Sequence, residues 1–144
     1  MFALIRCDAN GLPIDPVELS KEISAACAQS AELYKRIGYE IPWVSYIAAD
    51  AGVAVGGGAF VGAPRGGAVE IAYFTLEEFQ GRGYATQTAR QLVSIAREAA
   101  PAISLKAFTL PVVNPSTKIL QRLGFTKAGL AHDDDAGEVW EWRA

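Results

Sequence analysis

The alternation of apolar and polar positions is sharpest between residues 68 and 100. Val69, Ile71 and Tyr73 alternate with Glu70, Ala72 and Phe74 in a segment rich in β-branched and aromatic residues, so Ala68 to Leu76 is predicted to be a strand. From about Gly83 to Ala99 the period changes. Ala85, Ala89, Leu92, Ala96 and Ala99 recur at steps of four and three, one apolar stripe along a helix. Pro101 cannot continue that helix and closes it.

Further strands are predicted at Phe2 to Cys7, Trp43 to Ala49, Val53 to Val61, Ile103 to Thr109, Phe125 onward and Val139 to Arg143. A tight turn at Asp50-Ala51-Gly52 joins the second and third, and an acidic turn from Asp133 to Gly137 joins the last two. Gly56-Gly57-Gly58 weakens its strand and implies a bulge or a close packing approach, of which packing is preferred. Leu19, Ile23, Ala26, Cys27, Ser30, Leu33, Tyr34 and Ile37 keep helical spacing, as one bent helix or two. Asp15-Pro16 is the predicted start and Gly38 the predicted end. A short helix follows Asn114 as cap, with Pro115 at its first position, Ile119, Leu120 and Leu123 as buried face, and Gly124 at its end.

With 144 residues, half of them apolar, the chain is expected to be one domain spanning 1–144, burying ~68–70% of its unfolded surface. A net charge of −3 and a pI near 5.1 argue against a nucleic-acid surface, which needs a basic stripe. The longest uncharged run, Ala51 to Pro64, is too short and too glycine-rich for a membrane span, and the N-terminus lacks a secretory core. Cys7 and Cys27 have no metal-ligand spacing and read as reduced, buried thiols of a cytoplasmic protein. His132 stands alone before three aspartates, so no metal is expected there; the acidic run would favour cationic ligands if it bordered a cleft.

The stretch that carries chemistry is Gln80-Gly81-Arg82-Gly83-Tyr84-Ala85-Thr86, between the central strand and the long helix. Its glycines permit close backbone approach, and its amides lie at a helix N-terminus with unpaired N–H groups and partial positive charge. Such a site takes an anion, most naturally a phosphate or pyrophosphate. A dinucleotide fingerprint fails because Thr86 stands where the third glycine belongs and no acid occurs from Ile103 to Thr109. A phosphate-binding loop ending in G-K-[ST] is absent too.

The Q-x-x-G-x-A pattern opening a helix resembles the acyl-CoA loop of the GNAT superfamily of N-acyltransferases. The later N-P-S-T helix and L-G-F strand start, within TLPVVNPSTKILQRLGF, extend the resemblance from about Trp43 to the C-terminus. It is closest to the branch of ribosomal-protein N-terminal and small-amine acetyltransferases. The resemblance implies an α/β fold, with a mixed, twisted, mostly antiparallel sheet, helices on both faces, and one splayed parallel strand pair. It implies acetyl-CoA as cosubstrate, no metal, and direct acetyl transfer to an amine, either a small molecule or a protein N-terminus. A non-catalytic acyl-CoA sensor of the same fold is the alternative, and a dinucleotide oxidoreductase a distant third. A homodimer stays an open option.

By the same resemblance, the amides of Phe74 and Leu76 would hold the pantetheine and thioester. Gln80, Gly81, Arg82, Gly83, Tyr84, Ala85 and Thr86 would surround the pyrophosphate, and Asn114 would contact CoA while capping its helix. Glu70 stands at the family's general-base position, with a water chain as rival. The tyrosine that many relatives use to protonate the CoA thiolate is missing from Ile119-Leu120-Gln121; the ribosomal-protein branch uses a serine, which the resemblance carries to Ser116 counted back from Gly124-Phe125, or to Thr117 counted on from Asn114, with Ser116 preferred.

Overall fold

The computed structural model, which describes residues 1–144, contains one sheet of seven strands in the order β1-β2-β3-β4-β5-β7-β6. These are β1 (Phe2–Arg6), β2 (Ser45–Asp50), β3 (Val53–Phe60), β4 (Ala68–Thr75), β5 (Ser104–Thr109), β6 (Thr126–Asp133) and β7 (Gly137–Arg143). Helices α1 (Lys21–Ile37), α2 (Tyr84–Ala99) and α3 (Pro115–Arg122) complete the fold. Every neighbouring pair is antiparallel except β4 and β5. That parallel pair is short, consisting of Ala68 with Ser104, Val69 with Leu105 and Glu70 with Lys106. Beyond it, β4 continues to pair with β3 as far as Thr75, while β5 pairs with β7. The sheet therefore opens between β4 and β5.

α2 covers one face of this opening. Of the predicted stripe, Ala89, Leu92 and Ala96 are buried, Ala85 is half-buried and Ala99 is exposed, while Thr88 is buried beside them. Leu92 and α3's Leu120 are fully buried in one cluster with Phe60, Val69, Ile71, Leu105 and Trp142. Each such leucine contributes about 1.5–3 kcal/mol relative to exposure. α1 lies on the opposite face, where Ile23 and Cys27 join Cys7, Ile47, Ala54 and Leu76 in a second cluster, flanked by Phe79. The two thiols are free and buried, and burial pushes that of Cys7 up to about 12.

The glycine triplet serves close approach. A Cβ on Gly58 would meet Thr88 Cγ2 at 2.8 Å and Leu92 Cδ1 at 2.9 Å, so its absence lets α2 settle onto β3. A Cβ on Gly56 would come 2.3 Å from the backbone oxygen of Phe74. A register shift also interrupts the β2–β3 ladder at Ala48/Ala49, so packing and a bulge coexist in this strand pair.

One helix start differs from expectation. α1 begins at Lys21 with Ser20 as its cap, its hydroxyl accepting from Ile23 N at 3.3 Å, and not at Asp15-Pro16. Residues before it are held extended instead: Glu18 N donates to Gly52 O and Ala54 N donates to Glu18 O, both at 2.9 Å. These bonds, together with Val17 and Leu19 packed on the second cluster, outweigh the local cap signal. No helix is long and apolar enough to cross a membrane.

Candidate functional site

The opening of the sheet leads into a cleft of about 740 Å³. Its walls come from the end of β4 (Tyr73, Phe74 and Thr75), the loop and first turn of α2 (Gln80, Gly81, Gly83, Tyr84, Ala85 and Thr86) and α3 with its cap (Asn114, Ser116, Lys118 and Arg122 among others). Residues far apart in sequence therefore meet around one hollow.

The loop's geometry follows from its glycines. Gly81 and Gly83 have φ of +79° and +84°, in the left-handed region that other residues reach only with strain, and no atom lies within 4 Å of a Cβ built on either. Gly83 caps α2 without a side-chain acceptor, so the first-turn amides are left to a ligand. Gln80 Nε2 donates to Thr75 O at 3.1 Å and ties the loop back to β4. Tyr84 donates its hydroxyl to Asp50 Oδ2 at 2.6 Å, which anchors the helix start to the β2–β3 turn; this bond raises the tyrosine's pKa and lowers the carboxyl's. Arg82 does not line the cleft. Its guanidinium lies over the Phe79 ring, 5.6 Å from the centroid.

The peptide groups of β4 left open beside the cleft are not those of the residues expected to hold the thioester. Leu76 donates its amide to Val55 O at 2.9 Å and its side chain is buried in the second cluster, so it has nothing to offer a ligand. Glu70 O likewise accepts from Val61 N, at 2.9 Å on the β3 side. Strand backbone alternates with period two, so the peptide groups of Phe74, like those of Glu70 and Leu76, turn toward β3. Those of Tyr73 and Thr75 turn toward the gap beside β5. The alternation that predicted the strand could have supplied this answer, had the pairing partner been known.

Tyr73 and Thr75 stand out for a second reason. The hydroxyls of both are buried and have no hydrogen-bond partner. Burial alone pushes the Tyr73 phenol up to about 12.

On α3, Asn114 and Thr117 form a reciprocal cap: Thr117 N donates to Asn114 Oδ1 and Asn114 N donates to Thr117 Oγ1, each at 3.0 Å. The Thr117 hydroxyl also donates to Asn114 O at 2.9 Å and is buried away from the cleft. Ser116, one position earlier, lines the cleft. Glu70 lies outside the cleft's lining, at the closed end of the β4–β5 pair and beside Lys106. Burial raises its pKa; Lys106 pulls the other way, and Asp133 and Glu141 add to the rise.

A second cavity, about 170 Å³, lies between α1 and the sheet. Tyr73 and Phe74 border both cavities. Cys7, Cys27, Ser30, Ser45, Ala59 and Ala72 are among its other walls, and no charged residue lines it. His132 lies on the edge strand β6 opposite Glu138, and no group of three or more potential metal ligands occurs in the fold.

The model of a family described as the acetyltransferase (GNAT) domain matches residues 8–126. Among solved structures, the RimL ribosomal L7/L12 alpha-N-protein acetyltransferase in complex with coenzyme A is similar over 100% of this chain and 93% of its own, at 18% identity and a TM-score of 0.71. An IAA acetyltransferase from Bacillus cereus matches over 99% and 98%, at 15% identity and a TM-score of 0.71. For a GNAT-family acetyltransferase from Bacillus anthracis the match spans 69% of this chain and 64% of that one, at 15% identity and a TM-score of 0.61. A search of the curated proteins finds no match.

Proposed function

The chain belongs to the GNAT acetyltransferase family, and on that footing we propose that it is an N-acetyltransferase that moves the acetyl group of acetyl-CoA directly onto a bound amine. The observation that carries this reading is the cleft itself. It joins a glycine loop with free first-turn amides to the open edge of β4. The amides from Gly81 to Thr86 would hold the pyrophosphate, assisted by the α2 N-terminus. Tyr73 and Thr75 would offer their peptide groups to the pantetheine, which would run beside β4 as an extra strand does. Asn114 would contact CoA only from its place as α3's cap.

Holding thioester and amine in one hollow supplies much of the acceleration. The amine must also be neutral. An alkylamine of pKa about 10.4 is neutral only about 1 time in 2,500 at pH 7, equivalent to about 4.6 kcal/mol. Glu70 is the proposed base, acting directly or through a water, because its raised pKa brings it nearer to the working pH. The amine lone pair forms the C–N bond, the C–S bond breaks, and the electron pair stays on sulfur. Ser116, facing the cleft, would relay a proton from water to that sulfur; Thr117 is committed to the helix cap.

The cavity behind Phe74 supports a narrower acceptor class. Its volume suits a side group of a few carbons, and its uncharged walls penalise a buried charge. The acceptor would therefore be an amine bearing a compact apolar group, whether a small molecule or the first residue of a protein. A ribosomal-protein N-terminus, the substrate named for one structural neighbour, falls within that class.

Calorimetry with acetyl-CoA and free CoA, followed by thiol release with a panel of amines, tests the reading. Heat on binding and release with compact apolar amines are expected. Absence of heat from well-folded protein overturns it, and binding without turnover for any amine would leave an acyl-CoA sensor.

A further inference from the structure

We infer that the paired hydroxyls of Ser30 and Ser45 select an acceptor amine whose compact side group carries a hydroxyl. This rests on the acetyl-transfer reading above and narrows its acceptor. Both serines line the second cavity, and both are only half-buried. Ser30 belongs to α1 and Ser45 opens β2, so the pair bridges the helix and the sheet that enclose the hollow. Their side-chain oxygens lie 2.9 Å apart.

The premise is a count of protons. Tyr34 donates its hydroxyl to Ser45 Oγ at 2.9 Å and accepts from Ser45 N at 2.7 Å. The hydroxyls of Tyr34, Ser45 and Ser30 therefore bring three protons to two oxygen–oxygen contacts, and each contact uses one. Tyr34 spends its own on Ser45. The proton left over stays with whichever serine accepts from the other, and both serines face the cavity's lining. Neither has a further partner. Thr88 in α2 turns its hydroxyl back to Tyr84 O at 2.8 Å, whereas Ser30, also within a helix, makes no such bond.

The rest of the wall makes this donor stand alone. Tyr46 commits its hydroxyl to Pro42 O at 2.8 Å, and the Tyr73 ring lies on the opposite face of β4 from Ala72 and Phe74. The two thiols are weak donors. A single polar group in an apolar hollow fixes the orientation of what enters. Burial raises the pKa of both thiols and the negative charge of Asp8 adds to the rise, so a carboxylate would meet that same repulsion. A buried ammonium would find no counter-charge on these walls. A hydroxyl takes the spare proton and can return its own to a serine lone pair. An apolar group of the same size fits but leaves the donor unmet. The hydroxyl is held and not acylated, because the amine lies toward the Phe74 boundary with the cleft and its nitrogen forms the new bond.

The test compares acetyl transfer to threoninamide and valinamide, which exchange a hydroxyl for a methyl at nearly constant shape, and to short peptides led by threonine or valine. The full wild-type chain is expected to favour threoninamide by about tenfold or more in kcat/KM. A preference confined to the amides supports the inference with a free amino alcohol as acceptor; one shared by the peptides supports it with the first residue of a protein. Ser30→Ala combined with Ser45→Ala leaves the spare proton on Tyr34, which does not line the cavity, and is expected to bring the two rates together. Tyr34→Phe removes the acceptor of Ser45 N and should melt lower, yet two serines still share one contact and keep one proton free, so the preference should persist. A network that only braces α1 would show no preference in any of these proteins. Equal rates in the wild type, or a preference that survives in the double variant, overturn the inference while the acetyltransferase reading stands. If the wild type binds acetyl-CoA but acetylates no amine at all, both fail together.

Discussion

Glu70 and Lys106 are the last register partners of β4 and β5; one residue beyond them the two strands have parted. The carboxylate proposed as base thus marks the point from which the cleft widens. Its environment has a measurable signature. Burial raises the Glu70 pKa above the ordinary 4.5 despite Lys106. Between the ordinary and the raised value the folded protein holds more protons than the unfolded chain, so this group's contribution to stability is fully present below that window and is lost as pH rises through it. Glu70→Gln is therefore expected to be at least as stable as wild type at pH 7. Its kcat should be lower by about 10²-fold or more. Thermal melting and steady-state rates across pH check both, and a variant with wild-type kcat would remove Glu70 from the mechanism.

Ser116 and Thr117 are adjacent and separable. Thr117→Val breaks both of its hydroxyl bonds in the cap and should cost about 1–2 kcal/mol of stability. Ser116→Ala should melt like wild type and lose turnover. Denaturant unfolding beside acetyl transfer rates discriminates the pair; a stable Thr117→Val with lost activity would reverse the assignment.

Gly83 caps α2 from a left-handed conformation, with open space where a side chain would stand. Gly83→Val should cost about 1–2 kcal/mol in backbone strain. The branched side chain would also project where no protein atom lies, so CoA affinity should fall by tenfold or more. Titration calorimetry gives the affinity, and unchanged binding would move the pyrophosphate elsewhere.

The glycine triplet in β3 should give a graded series. Gly56→Ala forces a Cβ to 2.3 Å from a backbone oxygen that cannot easily yield. Gly58→Ala meets the ends of Thr88 and Leu92 at 2.8 and 2.9 Å, and overpacking of that kind costs typically about 1–3 kcal/mol. Gly57→Ala has its nearest neighbour at 3.0 Å, a Phe74 ring atom, and should be the mildest. Melting temperatures in the order Gly57→Ala, Gly58→Ala, Gly56→Ala, highest first, are expected.

The strands, helices and loop were legible because their signals are local. Period two from Val69 to Phe74, the glycines at 81 and 83 and the Asn114-Pro115 start each predict their element without reference to the rest of the chain. What escaped depended on partners. The choice of Ser20 over Asp15 as a cap was made by Glu18 pairing alongside β3. Which amides of β4 face the opening depends on which strand lies on which side, so the sequence points to Phe74 and Leu76 where the open peptide groups belong to Tyr73 and Thr75. The orphaned hydroxyls were likewise invisible, since a missing hydrogen bond exists only in three dimensions. The cap role of Thr117 has a local signal of its own: an asparagine cap followed three residues later by a side chain able to reach back makes a reciprocal pair.

The small cluster on the α1 face has a thermodynamic consequence. Leu76 and Phe79, which lead into the glycine loop, pack with Cys7, Cys27 and Ile47, which wall the second cavity. Ordering either hollow stiffens contacts that the other shares, so the two ligands should bind with positive cooperativity, each tightening the other by the same factor. Leu76→Ala should make the two binding events independent, as read by titrating CoA with and without saturating amine. A cluster of six buried side chains would then act as the linkage between donor and acceptor.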